Sequence, residues 1–157
     1  MSDPFGIDLK LIVNRERQLS RERGADLSTD VRPESGEVDL ARLDGVENLK
    51  QALLLRFLTP VGELAQLGHS RYGSRLYELL GQLNTEANRD RAKLYTLEAL
   101  ASEPRVAKVI EVKVTTRRTD PTRIDISVEV EAAKTGDILT LTVPLSLEEL
   151  SFQGSVQ

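Results

Sequence analysis

The sequence predicts an α+β fold: three helices followed by a three-stranded antiparallel meander, with an extended N-terminal arm. Three observations carry this expectation. Apolar residues keep helical spacing through Leu97 and Leu100, then alternate from Val109 to Val114, with Pro104 at the join. Helical runs precede strand runs instead of alternating with them, which favours segregated layers over a doubly wound parallel sheet. Before about Leu40 no sustained period is legible, and residues 28–37 are rich in Ser, Thr, Asp, Pro, Glu and Gly. Residues 1–40 therefore read as an arm, partly disordered when free.

Within the arm, Phe5 to Val13 is apolar enough to dock as a short extended segment, and Asn14 to Arg23 is a mixed charge run that reads as a solvated stretch. Asp44 followed by Glu47 resembles a capping box opening the first helix, whose Val46, Leu49, Leu53 and Phe57 follow 3–4 spacing. Thr59-Pro60 ends it, because proline disfavours helical backbone at the preceding residue. A second helix is expected from about Tyr72, carrying Leu76, Tyr77, Leu79 and Leu80 and stopping at Gly81. Thr85 caps a third, with Ala87, Ala92, Leu94, Tyr95, Leu97 and Leu100 as its apolar stripe. The domain spans 41–150, leaving 151–157 as a C-terminal tail.

In the strand region Ile110, Val112 and Val114, then Ile124, Ile126, Val128 and Val130, all fall on even positions, as a half-buried sheet requires. Asp120-Pro121 is the expected turn. A register with Val112 opposite Val130 pairs Lys113 with Glu129 and Arg117 with Asp125. The next register sets Glu111 against Glu129 and Arg117 against Arg123, unfavourable by a few tenths to ~1 kcal/mol per pair, so the first is expected. Thr135-Gly136-Asp137 turns into a third strand with Leu139, Leu141, Val143 and Leu145 on its apolar face. Pro144 marks that strand as an edge, since proline cannot donate to a central ladder.

A chain of 157 residues fits one domain, and with aromatics at 4% and no tryptophan its core must be aliphatic. Cysteine is absent and His69 is the one histidine, so disulfides and thiolate metal sites are excluded and no metal or other cofactor is expected. A net charge of −4 opposes the phosphate attraction of a nucleic-acid binder. No apolar run approaches the roughly 20 residues of a membrane helix, and no basic leader opens the chain, so cytosolic synthesis and folding are expected.

Glycoside hydrolysis needs two carboxylates within roughly 5–10 Å, for which Glu63 and Glu103, with Asp90 or Glu98, are the candidates. Against this, no aromatic-rich stretch suggests a sugar cleft, and the arginine after Glu103 would depress its pKa. His69 has no serine or cysteine motif beside it and reads as a loop residue. The chain is expected not to be an enzyme. Glu103-Pro104-Arg105 reads instead as a docking corner: Pro104 has a fixed φ and Glu103 is pushed to extended backbone, so the flanking charges are held in one orientation.

Taken in order, Thr59-Pro60-Val61-Gly62-Glu63, His69-Ser70-Arg71-Tyr72-Gly73 and Glu103-Pro104-Arg105 resemble the baseplate wedge family of contractile phage tails, the lysozyme-like W protein family. That family includes baseplate components of type VI secretion and of extracellular contractile injection systems. The resemblance spans about Leu40 to Leu147, and departs at Ser70, where relatives often carry proline. It implies a structural inner-baseplate subunit that links the wedge complex to the first sheath ring, in a phage tail or tail-like particle assembled in the cytoplasm. Glu103, Pro104 and Arg105 would contact the core bundle of the larger wedge subunits. The strand of Leu139, Leu141 and Val143 would pair with a sheath strand, with spike or tube proteins as further neighbours and about six copies per particle. The opposing expectation for that strand is that Pro144 and Glu148-Glu149 block such pairing. The family's lysozyme-like label leaves a peptidoglycan-cleaving glycosidase as an alternative, and a related stress-response adaptor leaves a regulatory adaptor on the same fold.

Overall fold

The computed structural model describes residues 5–11 and 29–147. The charge run Asn14–Arg23, Glu148-Glu149 and the tail 151–157 lie outside the described residues. The expected plan of three helices leading into one three-stranded meander does not hold. Among the described residues there are two α-helices, α1 (Gly45–Leu58) and α2 (Glu86–Ala101), and seven strands in three sheets. Strand β1 (Asp8–Leu9) pairs with β4 (Arg42–Leu43), and β2 (Thr29–Val31) pairs with β3 (Val38–Leu40), all antiparallel. The long strands β5 (Val106–Arg117), β6 (Asp120–Ala132) and β7 (Ile138–Ser146) form the third sheet in the order β5-β6-β7. The four short strands hold two or three residues each, too few for alternation to register in a sequence.

The helix expected from Tyr72 is a four-residue 3-10 turn, Leu76–Leu79. Both its ends are held elsewhere. Ser74 donates its N–H to Thr59 O at 2.8 Å, and Gly81 donates to Leu147 O at 2.7 Å, so the segment cannot propagate into an α-helix. The capping box at α1 does not form: Asp44 makes no side-chain cap bond, and Glu47 pairs with Lys50 at 2.8 Å. Thr59 does end α1, extended and with its N–H on Leu55 O. At α2, Thr85 Oγ1 accepts from Asn88 N at 3.2 Å.

The β5–β6 register is the one the charge argument rejected, with Glu111 opposite Glu129 and Val112 opposite Val128. Two features remove its penalty. Lys113 lies 2.9 Å from Glu111 and also feels Glu129, so one cation serves both carboxylates. A register shift after Thr116 sets Arg117 opposite Asp120, away from Arg123, and leaves Arg117 Nη2 3.0 Å from Asp125. The turn consequently falls at Arg118-Thr119, and Pro121 lies inside β6. A second shift between Val109 and Glu111 leaves Ile110 43% exposed, off the core face where alternation placed it.

The core joins Leu49 and Leu53 of α1, Ala92 and Leu100 of α2, Ile126, Val128 and Val130 of β6, and Leu139, Leu141 and Val143 of β7. Helix α2 lies against β5 and ends beside the start of that strand, while α1 packs on α2 and β7. The C-terminal end of α1 and the α2–β5 connection are thereby brought together.

Candidate functional site

At that meeting point Glu103 is turned inward, 4% exposed, instead of being displayed as the sequence suggested. Arg56, from the last turn of α1, places Nη2 3.0 Å from Glu103 Oε2. Arg105 reaches back with Nε 2.7 Å from Oε1 and Nη2 3.2 Å from Oε2, and its backbone N–H donates to Oε1 at 3.3 Å. Burial alone would raise the Glu103 pKa, but the hydrogen bonds and charge of Arg105, joined by Arg56, outweigh it and hold the carboxyl below its ordinary value. The same contacts raise the pKa of Arg105. Two cations thus meet one carboxylate, and Arg56 Nε is buried without a hydrogen-bond partner among the described residues.

The other two motifs close this corner from the opposite side. Gly73 has φ +111°, and a Cβ there would lie 2.5 Å from Thr59 O, so only glycine lets the Tyr72-Gly73 segment pass Thr59-Pro60. Val61 donates to Ser74 O at 3.0 Å, and Ser74 Oγ donates to Phe57 O at 2.7 Å. This clamp holds Tyr72 with its ring centre 4.6 Å from the Arg56 guanidinium carbon. Burial, helped by Glu103 and opposed by Arg56, raises the pKa of the Tyr72 phenol. On the far side, Val106 donates to Glu103 O at 3.1 Å and Ala133 to Arg105 O at 2.7 Å, tying the corner to both ends of the large sheet's first hairpin. Pro104 is exposed, and the Arg105 side chain is 31% exposed, so these two form the accessible surface of the corner.

Arg56 was not singled out in the sequence, although a lone charge inside Leu53-Leu54-Leu55-Arg56-Phe57 was a signal that it has a buried partner. Glu63, His69, Asp90 and Glu98 are all exposed, and none of them joins Glu103 in a hydrogen bond or ion pair among the described residues. A shallow depression at the β2–β3 hairpin is lined by Arg32, Glu37, Val38 and Asp39, and by none of those carboxylates.

The side chains of Leu139, Leu141 and Val143 are buried, so the part of β7 open to a partner is its backbone edge. Leu147 N donates to Thr122 O, and Asp137 O accepts from Ala132 N, which places the odd-numbered groups of β7 towards β6. The groups of Ile138, Thr140, Thr142, Pro144 and Ser146 accordingly face away from the sheet. From Ile138 to Ser146 β7 carries no charge, and its pairing with β6 is free of register shifts, whereas β5, the opposite edge, has three shifts and carries Lys108, Glu111 and Lys113.

No family model matches the sequence, and no curated protein matches it. The fold is similar to that of a solved structure from Geobacter sulfurreducens described as a "putative tail lysozyme". The TM-score is 0.57 at 20% identity, covering 67% of this chain and 93% of the other. At that identity the likeness establishes a shared fold.

Proposed function

We propose that this chain is a structural, non-catalytic inner-baseplate subunit of a contractile injection machine, which joins the wedge complex to the first sheath ring. The observation that carries the reading is the convergence of all three family-like motifs on one pinned corner. Thr59-Pro60 and Tyr72-Gly73 clamp each other, Tyr72 covers Arg56, and Arg56 with Arg105 fixes Glu103. Such a network holds Pro104 and the Arg105 rim rigid for the larger wedge subunits, so that little ordering entropy opposes docking. The uncharged, regular β7 edge is the surface offered to a sheath strand. The fold shared with a structure described as a tail lysozyme supports placing the chain in a tail or tail-like particle.

That neighbour's name also mentions lysozyme, and a glycosidase would need a general acid of raised pKa. Glu103 is driven the other way by its two arginines, which favours the structural reading. The deciding experiment is co-purification of Arg105→Ala with the wedge subunits. This variant leaves Glu103 paired with Arg56 and therefore folded. Loss of the wedge subunits is expected, and their retention at wild-type level would overturn the docking role. Cleavage of peptidoglycan that disappears in Glu63→Gln or Glu103→Gln would establish the glycosidase instead.

A further inference from the structure

The segment Phe5–Leu11 is gripped by its main chain. Asn48 and Gln51, one turn apart on α1 and 4% and 5% exposed, face it with their amides. Asn48 Nδ2 donates to Phe5 O at 3.0 Å and to Gly6 O at 3.1 Å. Gln51 Nε2 donates to Leu9 O at 2.8 Å, while its Oε1 accepts from Leu11 N at 2.9 Å. Strand β4 supplies the second wall through the β1 pairing, and Lys10 N donates to Ala41 O at 2.8 Å. Phe5, 5% exposed, is the anchor in the core. Buried amides that bind both carbonyls and an N–H of an extended segment are the chemistry of a peptide groove.

The connection to this segment is far longer than its attachment requires. Lys10 is bonded to Ala41 and Thr29 is paired with Leu40, so the described residues on either side of 12–28 are anchored at neighbouring points. A few residues would close that gap, yet a chain of this length reaches up to about 60 Å when extended. We infer that the groove between α1 and β4 also takes Phe5–Leu11 from a second copy of this chain, so that copies link by exchanging the segment. Each hydrogen bond of the groove is reproduced by an identical copy, so exchange costs little beyond the association itself, and a shared particle raises the effective concentration.

Complementation between two full-length variants tests this. Phe5→Ala weakens the segment and leaves the groove intact, whereas Asn48→Ala with Gln51→Ala damages the groove and leaves the segment intact. Light scattering after size exclusion should find each variant alone monomeric and the mixture forming a one-to-one heterodimer, because only the mixture offers a sound segment to a sound groove held by a weakened one. Two monomers in the mixture would overturn the inference, as would a dimer of either variant alone. If the double substitution loses the native circular dichroism spectrum, Gln51→Ala alone, which removes the Leu9 and Leu11 bonds and spares those of Asn48, replaces it with the same two outcomes.

Discussion

Arg56 and Glu103 lie 47 positions apart in the chain and meet as a buried pair, 3.0 Å between Nη2 and Oε2. The two partners are not equivalent. Removing Arg56 leaves Glu103 neutralised by Arg105, whereas removing Glu103 strands a buried guanidinium whose Nε already lacks a partner among the described residues. Glu103→Ala is therefore expected to cost about 3–5 kcal/mol and Arg56→Met distinctly less. Urea unfolding of both single variants and the double variant measures this. Equal losses would overturn the asymmetry, and strict additivity would show that the pair is not coupled.

The Glu103 carboxyl also sets an acid limit. Its folded pKa lies below the ordinary value, so its contribution to stability is fully present above the unfolded pKa and lost as pH falls through the folded one. The stability gap between the wild type and Glu103→Gln should be widest near neutral pH and narrow progressively below about pH 4.5. Thermal melts of both proteins across that range check it, and a gap that stays constant with pH would contradict the assignment.

Gly73 and Gly62 separate backbone strain from steric closure. Both have positive φ, +111° and +91°, but only at Gly73 does an added Cβ meet backbone, Thr59 O at 2.5 Å. Gly62→Ala is expected to cost about 1 kcal/mol, and Gly73→Ala at least 2–3 kcal/mol, because the clamp must open to admit the methyl. Chemical denaturation compares them, and similar losses would show that the close approach is unimportant.

What the sequence made legible follows from range. The long alternating runs of β5, β6 and β7 and the stripe of α2 repeat often enough for their period to be read, and Pro104 marks the join between α2 and β5. The 3-10 turn at Leu76–Leu79 kept helical spacing, but bonds from Ser74 to Thr59 and from Gly81 to Leu147 decided its fate, and neither is local. The register failed for a similar reason: cross-strand charges were weighed pair by pair, while Lys113 acts along its own strand and β-bulges shift the count. Of the corner, Glu103, Pro104 and Arg105 were identified, and Arg56 and the inward turn of Glu103 were not, because both depend on α1 arriving from a distant part of the chain.

Strand pairing at β7 can be tested without touching its core face. Thr142 shares its parity with Pro144, so its N–H points away from β6, and Thr142→Pro removes an outward donor while sparing the ladder. Leu141 before it is already extended, as a residue preceding proline must be. The variant is expected to keep the melting profile of the wild type to within a few degrees, and to lose co-purification with the sheath subunit, whereas Thr142→Val, which keeps the N–H, retains it. The proposed pairing is through backbone groups, so a proline variant that still binds sheath would place the sheath contact on another face of the protein.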